Sequence, residues 1–327
     1  MNLPPQYIFL LITTFYHLFA SLREKQQQPA PGKLINLGSY CLHLYSQGKG
    51  KPTVVIDHSL GGIEGYFLIN DLAKLTQVCI YDRPGYGWSN SSPKTRCSKE
   101  IAQELDLLLT TANIEPPYIL VGNSFGSYNV RLYADLFPEK VVGIVLTDGL
   151  HETAMLTMPP QLVALRLFFL SGFLMSVLGS LLGITRLLGI CGVFELLKPE
   201  LKKFPQSTRN QVKKSFYRYR HWLTMAQEIW QLNLSSQQLK VANNLNSLPI
   251  VSIKSQTFFQ ASLFNWFFPL AAIDRLREQI HQDLSQLSTN FTQLNADRSS
   301  HFIWLDQPEI IVRAVELILS SSSKTKN

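Results

Sequence analysis

The chain has 327 residues, 46% hydrophobic and 16% charged, a mixture that excludes a disordered or fibrous polymer and suffices for one large domain with an insertion. Its formal net charge is +7, with much of the excess in Lys198, Lys202, Lys203, Arg209, Lys213, Lys214, Arg218 and Arg220. Cys41, Cys79, Cys97 and Cys191 form no C-x-x-C pair and have no histidine cluster beside them, so free thiols and no metal are expected.

Residues 1–22 contain no Lys, Arg, Asp or Glu, and 7–22 are largely apolar. No positive residue precedes that run and Ala20-Ser21 is a poor cleavage site, so 1–25 read as an uncleaved hydrophobic anchor rather than an export signal. The run is slightly short for a span of roughly 20 residues, which leaves a helix lying in the membrane plane as the alternative. Arg23 and Lys25 then place the following domain on the cytoplasmic side. Residues 26–32 (QQQPAPG) read as a linker.

From Lys33 the pattern predicts strands at 33–37, 41–45, 53–57, 78–81, 118–121 and 141–147, with helices over 99–112 and 125–136 between the later ones. Strand-helix alternation of this kind predicts an α/β fold, a mostly parallel sheet with helices on both faces. Residues 152–246 break the alternation with helical, very apolar sequence. A strand at 249–254, a helix over 267–287, a strand at 291–294 and a helix over 308–319 then resume it. The expected organisation is therefore a core in two parts, 33–151 and 247–321, an inserted helical cap at 152–246, and a disordered tail at 322–327. Such an insertion hangs over the carboxyl ends of the strands, where open α/β sheets bind ligands.

Within the cap, residues 167–185 carry no charge, long enough for a membrane span. A single crossing would put the two halves of the sheet on opposite sides of a membrane, so the segment reads as a membrane-facing lid, with a buried lid helix as the alternative. The basic stretch beside it suits anionic lipid better than nucleic acid, a solvated basic helix being the bland reading.

Gly122-Asn123-Ser124-Phe125-Gly126 fits G-x-S-x-G between a predicted strand and a predicted helix. The sharp turn pushes the serine hydroxyl out at the sheet edge and needs small residues two positions either side. Ser124 is thus the candidate nucleophile. It requires a base. Of seven histidines, His17, His43, His58, His151, His221 and His281 all have structural or surface readings. His301 follows a polar loop after the last strand, at the carboxyl edge of the sheet, and comes after the nucleophile in chain order. An oxyanion hole needs two backbone N–H donors: Phe125 after the serine, and Leu60 in the Asp57-His58-Ser59-Leu60-Gly61-Gly62 turn after the third strand.

With Tyr81-Asp82-Arg83-Pro84-Gly85-Tyr86-Gly87-Trp88-Ser89, Pro29-Ala30-Pro31-Gly32, Ser300-His301-Phe302 and Asp306-Gln307-Pro308-Glu309, the chain resembles the α/β-hydrolase superfamily. Within it, the likeness is to bacterial hydrolases with an N-terminal hydrophobic segment. The resemblance is strong from Pro29 to about Asp148, returns at His301, and in the cap is one of character only. It implies the α/β-hydrolase fold and the Ser124 and His301 roles. Two departures stand out: Asn123 replaces the histidine usual before the serine, and His58-Ser59 replaces the usual His-Gly or Ser-Gly.

The usual acid position, the loop after the strand at 249–254, has no carboxylate over 255–260. Asp148, ending the preceding strand, is the first choice to hold the histidine tautomer; Asp274 is second and Glu152 third. The expected activity is hydrolysis of a hydrophobic carboxylic ester or related acyl compound through an acyl-enzyme, without a cofactor. Its expected partners are a small acyl substrate and membrane lipid, not nucleic acid. The alternative is a catalytically silent binding protein that keeps the fold.

Overall fold

In a computed structural model, residues 4–27, 30–62, 65–197, 201–202, 206–259 and 266–324 are described. Eight strands form one sheet: β1 (Lys33–Asn36), β2 (Cys41–Gln47), β3 (Thr53–Asp57), β4 (Val78–Tyr81), β5 (Tyr118–Asn123), β6 (Val141–Thr147), β7 (Ile250–Ser255) and β8 (Phe291–Ala296). Their order is β1-β2-β4-β3-β5-β6-β7-β8. The β1/β2 and β2/β4 pairs are antiparallel, and every pair from β4/β3 through β7/β8 is parallel.

The central strands are continuous apolar runs because both of their faces are covered. Val55, Leu120, Ile144 and Leu146 point to one side, into a core with helices Ser98–Thr111, Gly126–Leu136 and Leu270–Leu284. Val54, Ile56, Ile119, Val121 and Val145 point to the other, against helices Gly65–Leu72 and Pro308–Lys324. This period-two division makes the sheet the middle layer of three. The mostly parallel α/β sheet expected from the pattern is present.

Between β6 and β7 the described elements are all helical, from Glu152–Leu156 to Leu232–Leu239. Helix Pro160–Leu181 lies along helix Tyr219–Trp230: Arg166 donates to Asn233 at 2.8 Å near one end, and Phe173 meets Trp222 near the other. Only Leu162 and Ser180 of Pro160–Leu181 are buried, which overturns the buried-lid reading. A chain turn at Gly183 then leads into two short helices, Ile184–Ile190 and Val193–Leu197. The basic stretch is partly used internally: Lys213 pairs with Glu195 at 2.7 Å, and Arg218 donates to the Gly87 carbonyl at 2.5 Å. Lys198 and Lys203 lie outside the described residues.

Two boundaries need correction. The N-terminal helix is Pro5–Gln27, so Gln26 and Gln27 of the expected linker are helical; glutamine is a good helix former and nothing before residue 28 breaks the pattern. The last helix continues to Lys324, because serines at a helix end return their hydroxyls to the preceding turn, as Ser320 does to the Glu316 carbonyl at 2.6 Å. The remaining tail, 325–327, lies outside the described residues.

Beneath the Y-D-R segment, His43 lies in a buried polar pocket. Its Nδ1 is 3.0 Å from Asp82 Oδ2 and its Nε2 faces the Pro31 carbonyl, while Tyr66 donates to Asp82 at 3.1 Å. Burial lowers the imidazole pKa, but the Asp82 hydrogen bond and charge outweigh it and the net shift is upward. A raised histidine contributes stability fully present below its ordinary pKa and lost as pH rises through the folded value. Stability should therefore decline with rising pH from about 6.5, the ordinary histidine value. Urea midpoints at pH 6, 7 and 8 check this: His43→Gln should flatten the decline, and identical pH profiles for the two proteins would refute it.

Candidate active site

Ser124 follows β5 with φ +50°, left-handed for a residue that bears a side chain, and its N–H donates to the Thr147 carbonyl at 3.0 Å. The two glycines around it have no room for a methyl group. A Cβ on Gly122 would lie 2.5 Å from Val130 Cγ2, and one on Gly126 would lie 2.4 Å from the Asp57 carbonyl. This is the strand-turn-helix packing that G-x-S-x-G exists to allow. The Ser124 hydroxyl itself has no hydrogen-bond partner among the described residues.

Asp148 ends the neighbouring strand in the same way, with φ +44°, and the register pairs Asn123 with Thr147. Two adjacent parallel strands therefore present the serine and the carboxylate side by side. Asp148 is 2% exposed, and its Oδ2 accepts from His301 Nδ1 at 2.6 Å and from the Ser255 hydroxyl at 3.0 Å. Its Oδ1 accepts from His281 Nε2 at 3.1 Å and from the Ser255 N–H at 3.3 Å. Burial alone would raise the carboxyl pKa; the hydrogen bonds from His281 and His301, with their charges, hold it far below the ordinary carboxylate range. The group is an ionised acceptor at neutral pH. With Nδ1 of His301 committed to it, only Nε2 remains to exchange a proton. Phe258 stacks on the His301 ring at 4.1 Å between centroids.

The other two acid candidates do not reach His301. Asp274 accepts from the Phe258 N–H at 3.2 Å and fixes the loop after β7. Glu152, buried, pairs with Arg131 at 2.9 Å. Sequence reasoning missed the shell around Asp148: His281, Ser255 and Arg277, the last donating to the Ser255 hydroxyl at 2.7 Å. One signal existed. Arg277 and His281 lie four apart in Leu270–Leu284, so two polar residues share a helix face that is buried.

Ser124, Phe125, Leu60 and Asp148 line one cavity of about 230 Å³ whose other walls are mainly apolar, among them Leu162, Phe169 and Ile273. Neither the Phe125 N–H nor the Leu60 N–H has a hydrogen-bond partner among the described residues. The Leu60 loop is fixed from behind by Arg83, which is 1% exposed. Its guanidinium donates to the His58 carbonyl at 2.7 Å, the Ser59 carbonyl at 2.9 Å and Asp57 Oδ1 at 2.5 Å. Its Nε also donates to Glu228 of the cap at 2.9 Å, and Tyr86 donates to the same carboxylate at 2.7 Å. The altered His58-Ser59 pair is thus used through its carbonyls.

A match to the alpha/beta hydrolase fold family covers residues 52–290, and the chain belongs to that family. It is 25% identical over 137 residues to the uncharacterized protein YbdG of Bacillus subtilis, spanning 41% of this chain and 42% of that one. It is 34% identical over 115 residues to a 2-hydroxy-6-oxononadienedioate/2-hydroxy-6-oxononatrienedioate hydrolase of Paraburkholderia phymatum, 33% of this chain and 40% of that one. An uncharacterized vacuolar membrane protein of Saccharomyces cerevisiae is 29% identical over 119 residues, 34% of this chain and 18% of its own. The chain thus spans less than half the length of each of these relatives. Among solved structures, the enol-lactonase from Burkholderia xenovorans LB400 superposes with a TM-score of 0.60 at 15% identity, covering 89% of this chain and all of the other.

The Arg83 cluster makes a prediction. Glu228→Gln removes one of two carboxylates that compensate a buried guanidinium, and breaking such a pair costs about 3–5 kcal/mol. Urea denaturation should show a loss of that order, and a midpoint unchanged from the parent would contradict the cluster's role.

Proposed function

We propose that the protein is a serine hydrolase that cleaves a hydrophobic carboxylic ester or related acyl compound. The observation that carries this reading is the Asp148–His301 contact of 2.6 Å beside a serine on a strained turn, in one largely apolar cavity. In this proposal His301 Nε2 takes the Ser124 proton as Oγ attacks the acyl carbonyl, a contact that such sites often tighten only with substrate bound. The N–H groups of Leu60 and Phe125 receive the oxyanion. Collapse breaks the carbonyl–oxygen bond, and His301 returns the proton to the departing alcohol. Water, deprotonated by the same nitrogen, then attacks the acyl-enzyme and releases the acid and free Ser124. Asp148 keeps the imidazole in the required tautomer throughout. No step calls for a cofactor.

Membrane attachment belongs to the same proposal. Helix Pro160–Leu181 is long and apolar enough to cross a membrane by length and composition, and the N-terminal helix exposes apolar side chains along most of its length. These features, with the Y-D-R-x-G-Y-G-W-S segment, favour a bacterial membrane-anchored hydrolase whose catalytic domain sits on the cytoplasmic side, the side to which Arg23 and Lys25 point.

Fluorophosphonate labelling tests the chemistry. The natural chain should label and Ser124→Ala should not; no Ser124-dependent labelling would favour a silent binding protein. Asp148→Asn should slow ester turnover by about 10⁴-fold, the effect of a wrong histidine tautomer, whereas Asp274→Asn should leave it within a few-fold. In a p-nitrophenyl ester series, kcat/KM should rise from acetate to medium chains. A steady fall from acetate onward would remove the hydrophobic-substrate part of the reading.

A further inference from the structure

The N-terminal helix is not a free tether. Its polar residues Thr13, His17, Ser21 and Glu24 fall four, four and three apart, on one face, and that face docks on the cap. The Thr13 hydroxyl donates to the Leu182 carbonyl at 2.8 Å. Gly183, at φ +75°, passes so close that a Cβ there would lie 2.3 Å from the Thr13 carbonyl. Arg186 donates to Glu24 at 2.6 Å, to Ser21 at 3.1 Å and to His17 at 3.3 Å. It is 5% exposed.

Everything else on these helices faces outward and is apolar. Ile12, Phe15 and Phe19 are 62%, 69% and 68% exposed, and Met175 and Leu178 of Pro160–Leu181 are 73% and 63% exposed. A continuous apolar surface of this kind is rare on a protein surrounded by water. Residues 4–22 and 167–185 contain no charged side chain, and Arg186, the first charge beyond the Gly183 turn, is neutralised inside the packing. Charge is paired inward and apolar side chains point out, the arrangement hydrocarbon requires.

We propose that helix Pro5–Gln27 and the hairpin Pro160–Leu181/Ile184–Ile190 form one lipid-immersed unit, locked by Arg186, whose partner is the hydrocarbon of a bilayer. The return arm of the hairpin has 7 residues. At about 1.5 Å per residue it cannot recross a core of about 30 Å, so the hairpin dips into one leaflet. Both halves of the sheet stay on one side.

The same helix reaches the active cavity. Phe169 lines it, and the adjacent Phe168, 56% exposed, packs edge-on against Phe267 at 6.1 Å, next to Trp266, which is 78% exposed. Exposed aromatic rings beside an apolar surface suit the headgroup level of a membrane. An acyl chain leaving the leaflet then meets the apolar cavity wall without crossing water. This consequence for substrate rests on the hydrolase reading above; the surface itself does not.

The test uses the full chain with Cys41 and Cys191 replaced by serine and a polarity-sensitive nitrobenzoxadiazole label at Met175→Cys, Leu178→Cys or Ile12→Cys. On phosphatidylcholine/phosphatidylglycerol vesicles, all three labels should shift to the blue and be quenched by doxyl-chain lipid. A label at Lys49→Cys, in the turn before β3 at the far end of the sheet, should not. Labels at 175 and 178 that stay as wet as the one at 49 on vesicle-bound protein would overturn the proposal. So would their burial in a concentration-dependent dimer without lipid. A Met175→Glu/Leu178→Glu variant should lose at least about tenfold in turnover of a long-chain ester held in vesicles while fluorophosphonate labelling of Ser124 is unchanged; full vesicle turnover counts against it. Failure of the unaltered chain to label at Ser124 would sink the hydrolase reading instead and leave the quenching result standing.

Discussion

A guanidinium cannot shed its charge, so an arginine buried beneath a cap dictates what must surround it. Arg83 meets that demand with Asp57 from the end of β3, Glu228 from the cap, and the carbonyls of His58 and Ser59. One side chain thereby sets the position of the loop that carries the Leu60 N–H and the seat of the helix that roofs the cavity. Those two features cannot drift independently. Moving the cap away would strand Arg83 and Glu228 as buried charges, which is far more costly than the loss of a surface ion pair.

Much of the fold was legible because the signals were local. Strands β3 to β7 are short apolar runs bounded by turns, and the glycines of the serine turn are required by contacts within a few residues of sequence or across adjacent strands. The partners that matter most are not local. Glu228 lies 145 residues from Arg83, His281 lies 133 from Asp148, and Glu24 lies 162 from Arg186. Periodicity carries no information at those separations. Even so, each of these residues is charged or polar at a position where its helix packs inward, and that mismatch between chemistry and face was readable.

The acid position shows how a fold can keep a function while moving a residue. The end of β7, where the carboxylate is usually found, holds Ser255, and Ser255 donates to Asp148 through both its hydroxyl and its N–H. The two strand ends are adjacent in the sheet, as the pairing of Thr147 with Ile253 shows. A carboxylate on either strand can therefore face the same histidine. What changes is the surrounding set of donors: Asp148, deeply buried, needs His281 and Ser255 as well as His301 to remain ionised. His281 is consequently part of the electrostatics of this acid, a role its place inside a helix concealed.

Arg186 repeats the logic of Arg83 at the other end of the cap. Each is almost fully buried, each ties an element distant in sequence to the cap, and each is compensated by a glutamate from the element it holds, Glu24 for Arg186 and Glu228 for Arg83. The surroundings differ. Around Arg83 lies packed protein, so its pairing completes a core. Around Arg186 lie helices whose outer faces are apolar and uncharged, so its pairing does something further: it hides the charge that would otherwise keep this corner of the molecule in water. The cap is thus clamped at one end to the loop of the candidate oxyanion hole and at the other to the N-terminal helix. Any force on that helix acts, through two buried ion pairs and a rigid run of helices, on the roof of the cavity.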